Sequence, residues 1–205
     1  LGLKLPTGDY KYQDYFIRND STRILGYVDQ SIQLGDGGTG FTTEVNAFYN
    51  FDNHFGVYGN FFYLINPREH NGVSTGRGQA PNATAIQYGT DVMSVPDQLM
   101  ARAGISYMVG ILTISAGVRD ECLPSEDLIG GSRGFRRPGY IISIDPGINL
   151  NFKKATVYAY AAKALVRDRT QSFSDKLRSA ATGNHVQGDA AFADYVFNLG
   201  ASFKF

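Results

Sequence analysis

The sequence is poor in the residues that would announce a chemistry. It has one cysteine, no tryptophan and three histidines among 205 residues, and its 19 basic side chains are matched by 19 acidic ones. A single cysteine makes no internal disulfide and no Cys-rich metal site. Balanced charge leaves no basic field to hold a phosphate backbone, so no nucleic-acid partner is expected. His54 falls in a short turn while His70 and His185 fall in long connections. None of them faces Ser115, Ser143 or Ser202 from a neighbouring strand, as a Ser/His nucleophile pair requires. The same scatter fits no metal site, and the chain reads as a non-enzyme without a cofactor. Gly35-Asp36-Gly37-Gly38 reads as a turn rather than a calcium loop. Also missing is any run approaching the roughly 18 apolar residues of a membrane helix, and the mean hydropathy is −0.20. A spanning strand hides its apolar residues at every second position, so neither figure excludes a β-barrel.

What the sequence does have is alternation. Phe41, Thr43, Val45, Ala47, Tyr49 and Phe51 share one face, and Glu44, Asn46, Phe48 and Asn50 share the other, which is a period of two. After Asp52-Asn53-His54 the pattern resumes, with Val57, Phe61 and Tyr63 opposed to Tyr58, Asn60 and Phe62. Further hairpins are expected at 98–119, turning near Gly110, and at 140–167, turning at Lys153-Lys154. In them Ile105, Ile114, Ile144 and Ile148 oppose Arg102, Arg119 and Asp145. The strand 155–167 is nearly apolar on both faces, and Lys163 is used to assign its inward side. The last strand puts Phe197, Leu199 and Phe203 outward and Asp194, Asn198 and Lys204 inward. Leu1 to Leu5 reads as the end of a strand whose beginning is not in the sequence.

Short turns alternate with long polar connections, placed at 6–38, 66–97, 120–138 and 168–189, so all the long ones gather at one end. Strands of about 9 to 11 residues with this asymmetry suit an outer-membrane barrel. If the charged face met lipid, each basic group near the midplane would cost about 2 to 4 kcal/mol. Glu44, Arg102, Arg119, Asp145, Lys163 and Asp194 together would then rival a domain's stability of about 5 to 15 kcal/mol. Outward aromatics gather near strand ends: Tyr49, Phe51, Phe55, Tyr107, Phe152, Phe203 and Phe205 on the short-turn side, Phe41, Tyr63 and Tyr140 on the other. Two such belts match the two interfaces of a bilayer. The expected fold is therefore all-β, a single domain over residues 1–205. It is a transmembrane antiparallel up-and-down barrel with about eight strands visible, and the even strand numbers of bacterial barrels lead us to expect more on the N-terminal side.

Phe203 and Phe205 at the end of a strand with a continuous outward face resemble the C-terminal signal read by the bacterial barrel-assembly machinery. Three further segments extend the resemblance: 1–8, 31–37, and above all Gly134-Phe135-Arg136-Arg137-Pro138-Gly139-Tyr140 with Asp145-Pro146-Gly147. Together, along essentially the whole chain, they resemble the outer-membrane transporter family labelled "MetA-pathway of phenol degradation". The resemblance implies further N-terminal strands, ten to fourteen in the full barrel, and Gram-negative, porin-like uptake of aromatic hydrocarbons. Cys122 departs from the glycine expected in the family and reads as an unpaired loop residue. A barrel of only eight strands would be filled by its own side chains.

The residues expected to line the interior are Glu44, Asn46, Phe48, Tyr58, Asn60, Phe62, Arg102, Arg119, Asp145, Lys163 and Asp194. The charged ones form either cross-wall ion pairs or a selective path, and the apolar ones either a slide for aromatic solutes or packing for an internal plug. Arg133, Arg136 and Arg137 form either a basic constriction at the mouth or, the favoured reading, anchors that tie an infolded loop to acidic groups. The expected function is a channel for small hydrophobic or aromatic molecules in the bacterial outer membrane, with outer-membrane lipid and the assembly machinery as partners. The alternative is a non-conducting barrel that docks other subunits of a cell-envelope complex through its long loops.

Overall fold

In the computed structural model, which describes residues 1–188 and 192–204, strands dominate and the main sheet is antiparallel throughout. The chain opens with β1 (Gly2–Lys4), a small hairpin β2 (Gln13–Asn19) and β3 (Thr22–Tyr27), and a single 3₁₀ turn at Gln30–Ile32. The first long strands are β4 (Gly40–Asn50) and β5 (Phe55–Ile65). Asp52 closes the turn between them by accepting from the backbone N–H of His54 and Phe55 at 2.6 and 2.7 Å, which holds its carboxyl below the usual range. Next come β6 (His70–Ser74), α1 (Ala83–Tyr88) and β7 (Val92–Ser94), then β8 (Gln98–Val109) and β9 (Leu112–Leu123) around Gly110. The chain ends with β10 (Gly139–Ile144), β11 (Gly147–Asn151), β12 (Ala155–Arg169), α2 (Phe173–Thr182) and β13 (Tyr195–Phe203).

The sheet runs β1-β4-β5-β8-β9, then β10 and β11, then β12 and β13. β9 and β12 each pair with both β10 and β11, so four strands form a small closed circuit. The registers place β10 and β11 end to end, interrupted at Asp145-Pro146, where proline has no N–H to give the ladder. The Asp145 N–H still reaches Gly117 O, and Pro146 O still accepts from Ala161, so both neighbours hold the interruption. β1 covers only Gly40–Thr42 of β4, and β13 is paired only with β12 among the described residues. Among the described residues the sheet is open along the rest of β4 and along the side of β13 away from β12.

Its two faces are inverted relative to a water-soluble sheet. Phe51, Ile105, Ile144 and Leu199 are 65, 63, 43 and 82% exposed on the apolar face, whereas the side chains of Arg102 and Asp145 on the polar face are 20 and 1% exposed. The short-turn end of the apolar face carries packed aromatics, with ring centroids 5.2 Å apart for Tyr49 and Phe51 and 4.8 Å for Phe55 and Tyr107. Few apolar side chains are buried. Val28, Leu64, Val73, Met93 and Val95 form a small core at the other end, where the long connections fold over the strand ends as a crown.

Four expectations need correction. The third long connection begins after Leu123, not at Asp120, because Asp120 to Leu123 continue the β9 ladder opposite β8 and β10. Cys122 is thereby a free, half-buried strand residue, not a loop residue. Lys163 lies opposite Ile144 and Tyr195, on the apolar face, with its ammonium 5.9 Å from the Tyr195 ring centroid. Tyr158 and Tyr160 take the polar face instead. Finally, the long connections are not plain loops: they carry β2, β3, β6, β7, α1 and α2, the last begun by a capping box of Ser172 and Asp175. Phe205 lies outside the described residues.

On the polar face tyrosines lie over glycines of adjacent strands. A Cβ on Gly200 would stand 2.4 Å from Tyr158 Oη, and one on Gly147 would stand 2.2 Å from the Tyr160 ring. Such aromatic cover compensates a strand for its missing side chain. Gly200→Ala should therefore destabilise the fold by about 1 to 3 kcal/mol, and most of that loss should vanish in a Tyr158→Ala background. Urea unfolding midpoints of the four proteins would measure it.

Candidate functional site

The polar face is built in transverse layers, because residues directly opposite across antiparallel strands share a face. One layer runs Asn46, Asn60, Arg102, Arg119, Ser143 from β4 to β10. Next to it Phe48 and Tyr58 face Gly104 and Gly117, where the bare backbone leaves room for the Tyr58 ring. On the other side Glu44, Phe62, Met100 and Glu121 align. Glu44 accepts from Asn46 Nδ2 at 3.1 Å and Asn60 Nδ2 at 2.9 Å, so one carboxylate ties β4 to β5.

At the centre Arg102 Nε lies 2.6 Å from Asp145 Oδ2. The N–H does not point along the O···N line, so this is an ion pair without an aligned hydrogen bond. Tyr58 and Tyr160 hold the guanidinium between them, with its carbon 5.2 and 4.1 Å from the two ring centroids. Arg119, directly opposite Arg102, would repel it, but its Nη2 lies 2.6 Å from Glu121 Oε1. Glu44, Asn46, Phe48, Tyr58, Asn60 and Arg102 all line one groove of about 480 Å³ along this face. Arg102, Arg119 and Asp145 line a second of about 400 Å³ beside it. Phe62 shares the face through its register. Asp194 reaches Arg167 in an exposed ion pair at the crown end, away from the others. Lys163 is not part of the wall.

The three crown arginines separate. Arg136 donates from Nη1 and Nη2 to the two carboxylate oxygens of Asp127, at 2.8 and 2.6 Å, and both side chains are fully buried. Asp127 also accepts from the Asp97 N–H at 2.9 Å. Asp97 in turn accepts from Asn66 N at 2.6 Å, Leu128 N at 2.9 Å and Tyr63 Oη at 3.1 Å. The second and third connections are thus sewn together by buried charge. Gly130 and Gly134 permit the approach with φ of 96° and 112°, and a Cβ would meet Pro67 O at 2.4 Å in one case and Ser94 at 2.9 Å in the other. Arg137 grips Asp29 on the first connection through both oxygens, and Arg77 adds a contact at 3.1 Å. Arg133 is exposed, and its backbone N–H donates to Glu69 at 3.0 Å. Arg136 and Arg137 therefore act as anchors of infolded loops.

Two acidic residues were not legible as parts of these arrangements. Asp97 follows Pro96 in a polar connection, and no spacing links it to Asp127 thirty residues later. Asp120 stands opposite Ala101 and Ile142 on the apolar face, and one of its oxygens is buried without a hydrogen bond. Extending the alternation outward from Val118 would have found it.

No protein-family model, curated protein or solved structure matches this chain.

Removing one partner of a fully buried ion pair leaves the other charged and dry, at a cost of about 3 to 5 kcal/mol. Arg136→Ala should lower stability by that amount, while Arg136→Met with Asp127→Leu should recover most of it. Denaturant midpoints would decide between these outcomes. Asp29 is a second lever. Its bond to Arg137 holds its carboxyl well below the usual carboxylate range, with the Ser31 N–H and hydroxyl assisting against the opposing effect of burial. The stability it supplies is complete above the ordinary value near 3.9 and is lost as pH falls through the lowered one. Limited pepsin digestion should therefore nick residues 28–40 increasingly as pH drops below about 4, whereas Asp29→Asn should be nicked throughout that range.

Proposed function

We propose that this chain belongs to a transmembrane antiparallel up-and-down β-barrel of the bacterial outer membrane, and that the barrel is a channel for small hydrophobic or aromatic molecules. The observation that carries the reading is the inversion of the sheet. Large apolar side chains stand exposed on one face of β5, β8, β9 and β12, while ion pairs are sheltered on the other; β4, at the margin of the sheet, is exposed on both. In water that arrangement leaves far more contiguous apolar surface than a soluble monomer carries. Against lipid it is the favourable one for Ile105, Ile114 and Leu199, which would meet acyl chains, while Arg102 with Asp145 and Arg119 with Glu121 are paired inside. The packed aromatics at the short-turn end suit a bilayer interface. The open sides of β4 and β13 require further strands for closure, in keeping with ten to fourteen in the barrel, because hydrocarbon tolerates no unpaired strand edge.

On this reading the Tyr58, Arg102 and Tyr160 stack with Asp145 is the narrow, charged stretch of the interior wall, and the crown guards the external mouth. Exposed Phe203 on the apolar face suits the assembly signal. The sewn crown also favours a second reading, a non-conducting barrel that presents its loops to other envelope proteins.

The folded protein should migrate differently on a denaturing gel before and after boiling. In planar bilayers it should conduct, and Arg102→Ala should raise the conductance and shift the cation-to-anion preference toward cations. A protein silent both in bilayers and in liposome swelling overturns the channel and leaves the docking barrel.

A further inference from the structure

Among the described residues, two charged side chains stand on the apolar face away from the strand ends. Asp120 on β9 and Lys163 on β12 flank β10, opposite Ile142 and Ile144 respectively. Each is the ninth residue of its strand counted from the short-turn end, which sets the two at similar depth. Two strand spacings, about 10 Å, separate β9 from β12, and neither side chain makes an ion pair or a hydrogen bond among the described residues. Asp168, nearer the crown on the same face, differs, because the Tyr140 hydroxyl holds it. Only Oδ1 of Asp120 is covered, and the residue lines a shallow groove of about 450 Å³ floored by Ala47, Gly59, Ala101 and Ala103. Beyond Lys163 the relief is opposite: Phe197 and Leu199 on β13 project, 78 and 82% exposed. A charge facing hydrocarbon calls for a partner of opposite sign. This face carries both signs, one on each side of a single strand, as a self-complementary patch must.

We infer that the outward face around β10 is the interface through which two copies of this chain pair side by side in the membrane. A two-fold axis along the membrane normal, passing just outside β10, sets β9 of one copy against β12 of the other. Asp120 of each copy then meets Lys163 of the other, and the rotation leaves their depth unchanged. The contact is made through the uncovered Asp120 Oδ2 and the exposed lysine. The same rotation carries β13 of the second copy toward β8, where its projecting Phe197 and Leu199 approach the hollow over Ala101 and Ala103. A lipid headgroup is too small to span the two strand spacings between Asp120 and Lys163, whereas a second copy satisfies both at once. The inference rests on the membrane reading, because only against hydrocarbon are these charges deprived of water. It does not require conduction.

The test is native mass spectrometry over a range of protein concentration, on the full chain refolded with phosphatidylethanolamine and released from detergent micelles. The wild type should be dimeric. Asp120→Lys sets lysine against lysine and should raise the dimer dissociation constant by at least about tenfold, and Lys163→Asp, which opposes two carboxylates, should do the same. Mixed together, with one of them nitrogen-15 labelled, these two variants should form a heterodimer. The double variant should dimerise like the wild type, a recovery that a merely disturbed fold does not give. Asp120→Asn reverses no charge and should still weaken the dimer, so the test survives a reversed variant that fails to fold. A wild type that shifts on a gel when boiled yet stays monomeric, with or without retained phosphatidylethanolamine, overturns the interface and leaves the barrel. Single variants that remain dimeric, or that fail to pair when mixed, overturn it as well. A chain whose migration boiling does not change overturns the membrane reading and this interface with it.

Discussion

Successive residues of a strand point to opposite faces, so a slip of one residue would exchange the faces of the whole strand. That constraint governs this protein. A slip in β8 would expel Arg102 from between Tyr58 and Tyr160, part it from Asp145, and turn Ile105 and Ala103 into the polar wall. Because each long strand is paired on at least one side with another that obeys the same alternation, the registers reinforce one another. The glycines under Tyr158 and Tyr160 add a shape requirement to the charge requirement.

The wall and the crown are held by different means. In the wall, backbone ladders supply most of the order, and side chains chiefly decide which face is which. In the crown the strands are short and the helices small, so tertiary contacts must do more. Arg136 with Asp127 sits at full burial, which is tolerable because both carboxylate oxygens meet the guanidinium fork and the Asp97 backbone adds a further donor. Such a pair specifies one arrangement of the loops more than it adds net stability.

The long strands and their tight turns were legible because period two and turn residues are local signals. Phe41 to Phe51 could be assigned face by face without any partner. The strand at 155–169 was not, since Tyr158, Ala159, Tyr160, Ala161 and Ala162 are apolar on both sides and the charge nearest its middle, Lys163, is long enough to lie outward with its ammonium by an aromatic ring. The end of β9 was overlooked for a different reason: Asp120 and Glu121 look like loop residues unless the alternation is carried on past Val118, which their pairing with β8 and β10 bears out. The crown elements were illegible because their cores are assembled from segments thirty to a hundred residues apart.

Alternation, the short and long connections and the segregation of charge were determined by the sequence alone, since each depends on residues one or two positions apart. Which arginine anchors and which is left exposed, and which side of β12 faces the polar wall, were decided only by tertiary structure. Those outcomes depend on which distant carboxylate or carbonyl arrives within about 3 Å, the reach of a hydrogen bond, and chain order does not encode that distance locally.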